Sequence, residues 1–295
     1  MANSAAIIGA PTVSDVTEDT NLQVLIAAGL ISISDANAGQ AAFKTTVISA
    51  SGNLGTLTIA ANGAYSYSVA DSAVQYLGTG DTKIDTFTVT SLDGTTKKVS
   101  FTIHGVNDAA VIGNATAHDV TEDAARPTLT ATGSISISDV DQGEASFKTS
   151  VISGGNLGTL TLATNGSYSY SVADSAVQYL GAGDTKIDTF TVTSNDGTTK
   201  QISFTIHGVN DAAVIGTPTV HDVTEDASNP SLTANGMISI TDADQGQAAF
   251  KTSVISAAGN LGNLTIAANG SYSYSVADSA VQYLGTATPK STPLR

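Results

Sequence analysis

The chain contains no cysteine and no tryptophan, and basic residues are few. Without cysteine there can be no disulfide, no thiolate metal site and no thiol nucleophile, so if the chain works outside a cell something else must stiffen it. Lys and Arg number 11 against 26 Asp and Glu, a formal net charge of −15. Such a chain repels nucleic acid and anionic membrane and attracts cations. The longest apolar run, "VLIAAGLI" at residues 24–31, is too short to span a bilayer, so membrane insertion is not expected. The N-terminus lacks the basic start and apolar segment of a secretory signal, which leaves export to a signal outside this chain. Also missing are a nucleophile elbow, a phosphate-binding glycine loop and a zinc-protease helix, so catalysis is not expected.

What is present is repetition. "FTIHGVNDAAVIG" occurs at residues 101–113 and again at 204–216; "YSYSVADSAVQYLG" starts at Tyr65, Tyr168 and Tyr272; "VTED" starts at Val16, Val120 and Val223. The period is 103 or 104 residues, the odd residue falling in a Ser/Gly/Asn-rich loop after Val47 or Val151. The expected organisation is repeat one at 1–107, repeat two at 108–210, an incomplete repeat three at 211–285 and an unrelated tail at 286–295. Both ends read as cuts through a longer array: Asn3 starts in mid-linker, and repeat three stops before its last two strands.

Within a repeat, apolar and polar residues alternate with period two, as in half-buried antiparallel strands. Phe87 and Val89 share one face of "DTFTVTS", and Val99, Phe101 and Ile103 one face of "KVSFTIHG". Residues 31–34, 43–49, 56–60 and 65–69 read the same way, and an extended segment around Val13–Thr17 makes about seven strands. Asn62-Gly63 predicts a type I′ hairpin turn, "LDGTT" at 92–96 a second hairpin, and "DSAVQYLG" at 71–78 a single helical turn capped by Asp71. The fold class expected is all-β: tandem immunoglobulin-like Greek-key sandwiches, the third truncated.

The acids cluster at the junctions between repeats. Asn107 and Asp108 follow the last strand of repeat one; Glu18 and Asp19 lie in "VTED", Asp81 before the sixth strand, and Asp139 and Asp141 in the "SDVDQG" loop of repeat two. Calcium takes six to eight oxygen ligands, which loop carboxylates and carbonyls can supply. Each acid taken alone could equally be a turn former.

The run "LGTGDTKIDTFTVTSLDGTTKKVSFTIHGVNDAA" resembles the C-terminal half of a cadherin repeat. The full unit, with "VTEDA", "SISDVDQG" and "GVNDAAV", is similar to the VCBS cadherin-like repeats of large bacterial surface and RTX-type adhesins. That resemblance implies Ca2+ between consecutive units. Carried over by position, the first junction would use Glu18, Asp81, Asn107, Asp108, Asp139, Asp141 and Asp196, and the second Glu122, Asp184, Asn210, Asp211, Asp242 and Asp244. Repeat one has Asn37 where Asp141 stands, so no full site is expected before it.

It also implies an extracellular or cell-surface protein, whose partners are the neighbouring repeats and, through homophilic or glycan contacts, other surfaces. The expected role is a calcium-stiffened extender of a bacterial adhesin; glycan binding and a passive spacer in a secreted multidomain enzyme are the alternatives. Most of the nine tyrosines fall on inward positions, which speaks against a glycan platform. His104 and His118 flank the first linker, and His207 and His221 the second; a zinc pair there lacks a third ligand, and exposed histidines are the preferred reading. The "NAT" and "NGS" sequons coincide in part with hairpin turns and carry little weight.

Overall fold

The computed structural model describes residues 3–18, 21–122, 126–225 and 228–284. Asp19 and the tail at 286–295 lie outside them. In the first unit the strands are β1 (Ile7–Pro11), β2 (Asp15–Thr17), β3 (Val24–Ser34), β4 (Ile48–Ser49), β5 (Thr56–Ile59), β6 (Ala64–Ala70), β7 (Thr82–Thr90) and β8 (Thr96–His104). They form two four-stranded sheets, ordered β1-β3-β6-β5 and β2-β8-β7-β4. All pairs are antiparallel except β2 with β8, where Val16 lies beside Ile103. The second unit repeats this with β9 (Val111–Ala115), β10 (Asp119–Thr121), β11 (Thr128–Ser138), β12 (Ile152–Ser153), β13 (Thr159–Leu162), β14 (Ser167–Ala173), β15 (Thr185–Thr193) and β16 (Thr199–His207). The first strand of the sandwich is thus split between its two sheets, which turns the expected seven strands into eight. The segment 43–49 is strand only at its end, with Phe43 making an isolated bridge to Ser91.

The period-two alternation works as the physics requires. On β7, Asp85, Phe87 and Val89 are buried while Thr86, Thr88 and Thr90 face outward or the rim. Tyr67 on β6 stacks on Phe101 of β8 with ring centroids 4.5 Å apart, and Phe87 meets both edge-on. Tyr170, Phe190 and Phe204 reproduce the group in the second unit. Asp85 is the exception in chemistry but not in parity: it is fully buried and accepts hydrogen bonds from Tyr67 Oη (2.9 Å), Leu54 N (3.0 Å) and Gly55 N (2.6 Å). It ties the loop before β5 to the core.

Two local expectations are corrected. Asn62 does not adopt the positive φ of a type I′ turn, since only glycines do so among the described residues. Instead Gly63 N donates to Ala60 O, and Gly63 alone, at φ +87°, takes the left-handed region. A methyl group there would also lie 2.1 Å from Ile31 O, so glycine is required twice over. Asp71 is not an N-cap: the cap is Ala70, with no side-chain bond, and Asp71 lies buried inside a 3₁₀ turn over Asp71–Ala73.

The third unit contains β17 (Val214–Ile215), β18 (Ser231–Met237), β19 (Ile240–Thr241), β20 (Asn263–Ile266) and β21 (Ser271–Ala277). Its larger sheet, β18-β21-β20, matches β11-β14-β13, but among the described residues nothing corresponds to β15 and β16. The consequence is a thin core. Among the described residues its buried cluster is Leu232, Val276 and Val281, with Ala234 and Tyr272 also buried, and Tyr274 is partly exposed where Tyr170 is fully buried.

Candidate metal centre

The first junction is assembled from three pieces. Glu18 follows β2, and its N–H bonds His104 O at 2.9 Å, continuing the parallel ladder, so its side chain is carried to the end of the sandwich. There Glu18 Oε1 accepts from Val106 N (2.9 Å) and Oε2 from Gln75 Nε2 (2.6 Å), while Gln75 also donates to Asp71 Oδ2 (3.0 Å). The linker contributes Asp108, whose N–H donates to Asp141 Oδ2 of the next unit at 2.9 Å. The loop after β11 supplies Asp141, whose own N–H bonds Asp139 Oδ1 at 3.0 Å in an Asx turn. A main-chain bond from Gln142 N to Tyr76 O (3.0 Å) closes the two units together.

The result is a convergence of charge. One carboxylate oxygen from each of Glu18, Asp108 and Asp141 lies within 4.8 Å of the others. Glu18 and Asp141 are each 2% exposed. At that separation and an effective dielectric constant near 20, two full charges repel by roughly 3 kcal/mol. Burial, and then the neighbouring carboxylates Asp108, Asp71 and Asp141, push the Glu18 carboxyl above its ordinary range, against the Val106 N–H. Asp141 is pushed up in the same way, by burial and by Asp139, Asp108 and Asp196. The second junction repeats the arrangement: Glu122, Asp211 and Asp244 converge, Val209 N and Gln178 Nε2 bond Glu122, and Asp211 N bonds Asp244 Oδ2 at 3.2 Å. In the third unit Glu225 keeps its glutamine, Gln282, yet is exposed.

A group this acidic fits a hard divalent cation on one further ground. Asp108 Oδ2, Asp139 Oδ2, Asp141 Oδ1 and Glu144 Oε2 are buried and have no hydrogen-bond partner, as are Asp211 Oδ2 and Asp244 Oδ1. Buried carboxylate oxygens without a donor are costly. Oxygen ligands of this kind are what calcium accepts.

The structure places the other sequence candidates differently. Asp81 and Asp184 are exposed in turns, Asp184 Oδ2 accepting from Gly181 N at 3.2 Å, and neither belongs to the converging group. Asn107 and Asn210 are exposed, and their amides donate to Asp108 O and Asp211 O. Asp242, like Asp139, accepts from the backbone two residues on, at Asp244 N. Asp196 works as a latch: it accepts from Ala110 N in the linker (3.1 Å), from Thr198 Oγ1 (2.5 Å) and from Ser194 Oγ. Burial opposes its ionisation, but these bonds hold its carboxyl well below the usual range. Asp93 does the same for Ala6 in the first unit. Asn37 takes the place of Asp141 and accepts from Ser4 N at 2.8 Å.

Sequence reasoning passed over Asp71, Asp174, Gln75, Gln178 and Glu144. A signal existed for the first four, since "DSAVQ" puts Asp and Gln four apart in every copy. Among the described residues no histidine belongs to a converging metal-ligating group; His118 Nδ1 and His207 Nε2 both face Asp119, at 3.2 and 3.5 Å, and all three are about half exposed.

The family described as bacterial cadherin-like domain matches residues 3–105 and again 107–208. The chain belongs to that family. Among solved structures it is similar to protocadherin gamma B7 extracellular cadherin domains 1–4, with 15% identity and a TM-score of 0.41, covering 91% of this chain and 68% of that one. It is similar also to the gamma B7 EC3–6 cis-dimer structure, at 13% identity and TM-score 0.44 over 91% of this chain and 66% of that one. The titin I-band fragment I67–I69 aligns at 12% identity and TM-score 0.40, covering 94% and 89%. No curated protein matches the sequence. The seam between the two matches of the cadherin-like domain, at residue 106, falls beside Asn107 and Asp108, so the converging carboxylates lie where one domain hands over to the next.

Proposed function

We propose that the chain is a calcium-stiffened extender segment of a bacterial adhesin, displayed at the cell surface or secreted. The boundaries we assign are 1–107, 108–210 and 211–285, with a tail at 286–295, and the narrower kinship is with VCBS repeats of RTX-type proteins. The observation that carries this reading is Asp141: a carboxylate 2% exposed, with one oxygen bonded to the linker and the other without a partner, facing Glu18 of the preceding unit and Asp108 of the linker. The first cation site is assigned to Glu18, Asp108 and Asp141, and the second to Glu122, Asp211 and Asp244. Calcium bound there would supply the positive charge that the cluster lacks.

The chain's own residues do the rest. Gln75 orients Glu18, Asp196 pins the linker at Ala110, and the bond from Gln142 N to Tyr76 O fixes the approach of the two units. With the repulsion neutralised, the junction is a rigid splice; without it, the same carboxylates push the units apart. The role is mechanical rather than catalytic, and the segment projects whatever binding region the parent protein carries. Homophilic or glycan contacts of the repeats are the partners assigned.

Thermal denaturation of the full chain in 1:1 comparison, with calcium and with EDTA, tests the reading. The midpoint should rise by several degrees with calcium, and indifference to chelation would overturn it.

A further inference from the structure

The two junctions are not chemically equal. In the loop after β11 the repeats read "SDVDQGEASF", with Glu144, whereas the corresponding positions in units one and three are Gln40 and Gln247. Glu144 is not an idle surface acid. A methyl group on Gly78 of the preceding unit would meet Glu144 Oε1 at 3.2 Å and Asp141 Oδ2 at 3.4 Å, so both carboxylates are folded over the same bare backbone across the junction. At the second junction the atom over Gly181 is Gln247 Nε2, again with Asp244 Oδ2 at 3.3 Å.

The unpartnered oxygens also differ between the two junctions. At the first, Asp108, Asp139, Asp141 and Glu144 each present one buried oxygen without a donor; at the second, among the described residues, Asp211 and Asp244 do, and in the equivalent loop of unit one Asp35 Oδ2 and the neutral amide oxygen of Gln40 do. Asp141 is itself 2% exposed. Glu144 therefore lies among carboxylates with an oxygen that nothing in the protein satisfies, and no cationic side chain pairs with it among the described residues.

We propose that Glu144 is an additional cation ligand of the first junction, so that this junction binds calcium more tightly than the second and the array stiffens in two steps as calcium rises. This rests on the calcium reading of the junctions given above. A neutral amide at position 247 offers one oxygen and no charge, and calcium affinity in oxygen-ligand sites is set by ligand charge count and rigidity. The adhesin segment then has a rigid first splice over a range of calcium in which its second splice remains flexible.

Calorimetric titration of the metal-free full chain with calcium tests this, each junction being isolated in turn by Asp244→Asn or Asp141→Asn. The first junction, measured in the Asp244→Asn background, should bind about tenfold or more tightly than the second, measured in the Asp141→Asn background. Adding Glu144→Gln should bring the first junction to the affinity of the second, and Gln247→Glu should raise the second. Because Gln247→Glu gains affinity, its effect is not one that misfolding could imitate. Calcium binding with equal affinities, or with affinities that neither substitution moves, would overturn the role of Glu144 while leaving the junction sites intact. Absence of calcium binding in the unmodified chain would overturn both.

Discussion

Asp108 of the linker donates its backbone N–H to Asp141 Oδ2 of the following unit, 2.9 Å away, while Asp108 Oδ2 and Asp141 Oδ1 have no partner. This bond helps to join the units, together with that from Gln142 N to Tyr76 O, and the charge left over works against them.

The first unit shows what happens when that charge is absent. Asn37 occupies the position of Asp141 and makes the equivalent bond, from Ser4 N at 2.8 Å. Asp141→Asn should therefore keep the latch and lose the cation site. In EDTA the variant should melt no lower than wild type, because a repelling charge has gone; in calcium it should lose much of the calcium-dependent gain. Paired thermal melts check this, and a variant that melts well below wild type in EDTA would contradict it.

Asp85 provides a prediction about the sandwich itself. Its carboxylate is fully buried and takes three donors, Leu54 N, Gly55 N and Tyr67 Oη, with Lys83 Nζ 3.9 Å away. Asp85→Ala strands all three and should cost about 3 kcal/mol or more. Urea denaturation would read this as a lowered midpoint of the first unit, with the second unaffected because its counterpart Asp188 is intact.

Acid sensitivity should come from Asp93. The Ser91 hydroxyl and the Thr95 N–H hold its carboxyl well below the usual carboxylate range, against the opposing effect of burial. A depressed folded pKa means stability that is present above the unfolded value, about 3.9, and lost as pH falls through the folded one. The stability gap between wild type and Asp93→Asn should be widest near neutral pH and close as pH falls below about 4. A gap that stays constant across that range would show that the charge plays no part.

The third unit should be the soft end. With Leu232, Val276 and Val281 as its buried cluster, the amides of β18, β20 and β21 should exchange with deuterium faster than those of β11, β13 and β14. A peptide spanning residues 184–208, which carries the β15–β16 hairpin, should slow that exchange when added in trans. Equal protection of the two sheets would contradict the account.

Much of this was legible in the residues themselves. Alternation at Phe87, Val89, Val99, Phe101 and Ile103 located two long strands and the inward face, because side chains in a strand change sides at every step. The repeat length located the junctions, and the acids of "VTED", "VND" and "SDVD" pointed to them. What was not legible depended on contacts between distant segments. The parity that buries Phe87 also buries Asp85, yet only the approach of Tyr67 and the 54–55 backbone makes a buried carboxylate tolerable there. Asp71 had the look of a cap until the fold put Gln75 between it and Glu18. Glu144 differed visibly from Gln40 and Gln247, but its meaning required Gly78 of another unit to lie beneath it. Asp196 read as a candidate ligand, and the hydrogen bonds it accepts from Ser194, Thr198 and Ala110 were not legible from its position alone.

The central claim is that calcium turns a jointed chain into a rod. Small-angle X-ray scattering of the full chain, recorded in calcium and again after EDTA, measures it most directly. The account predicts a longer maximum dimension and a narrower spread of conformations in calcium, with the change abolished when Asp141 and Asp244 are both replaced by asparagine. Scattering curves that superimpose in calcium and in EDTA would contradict it.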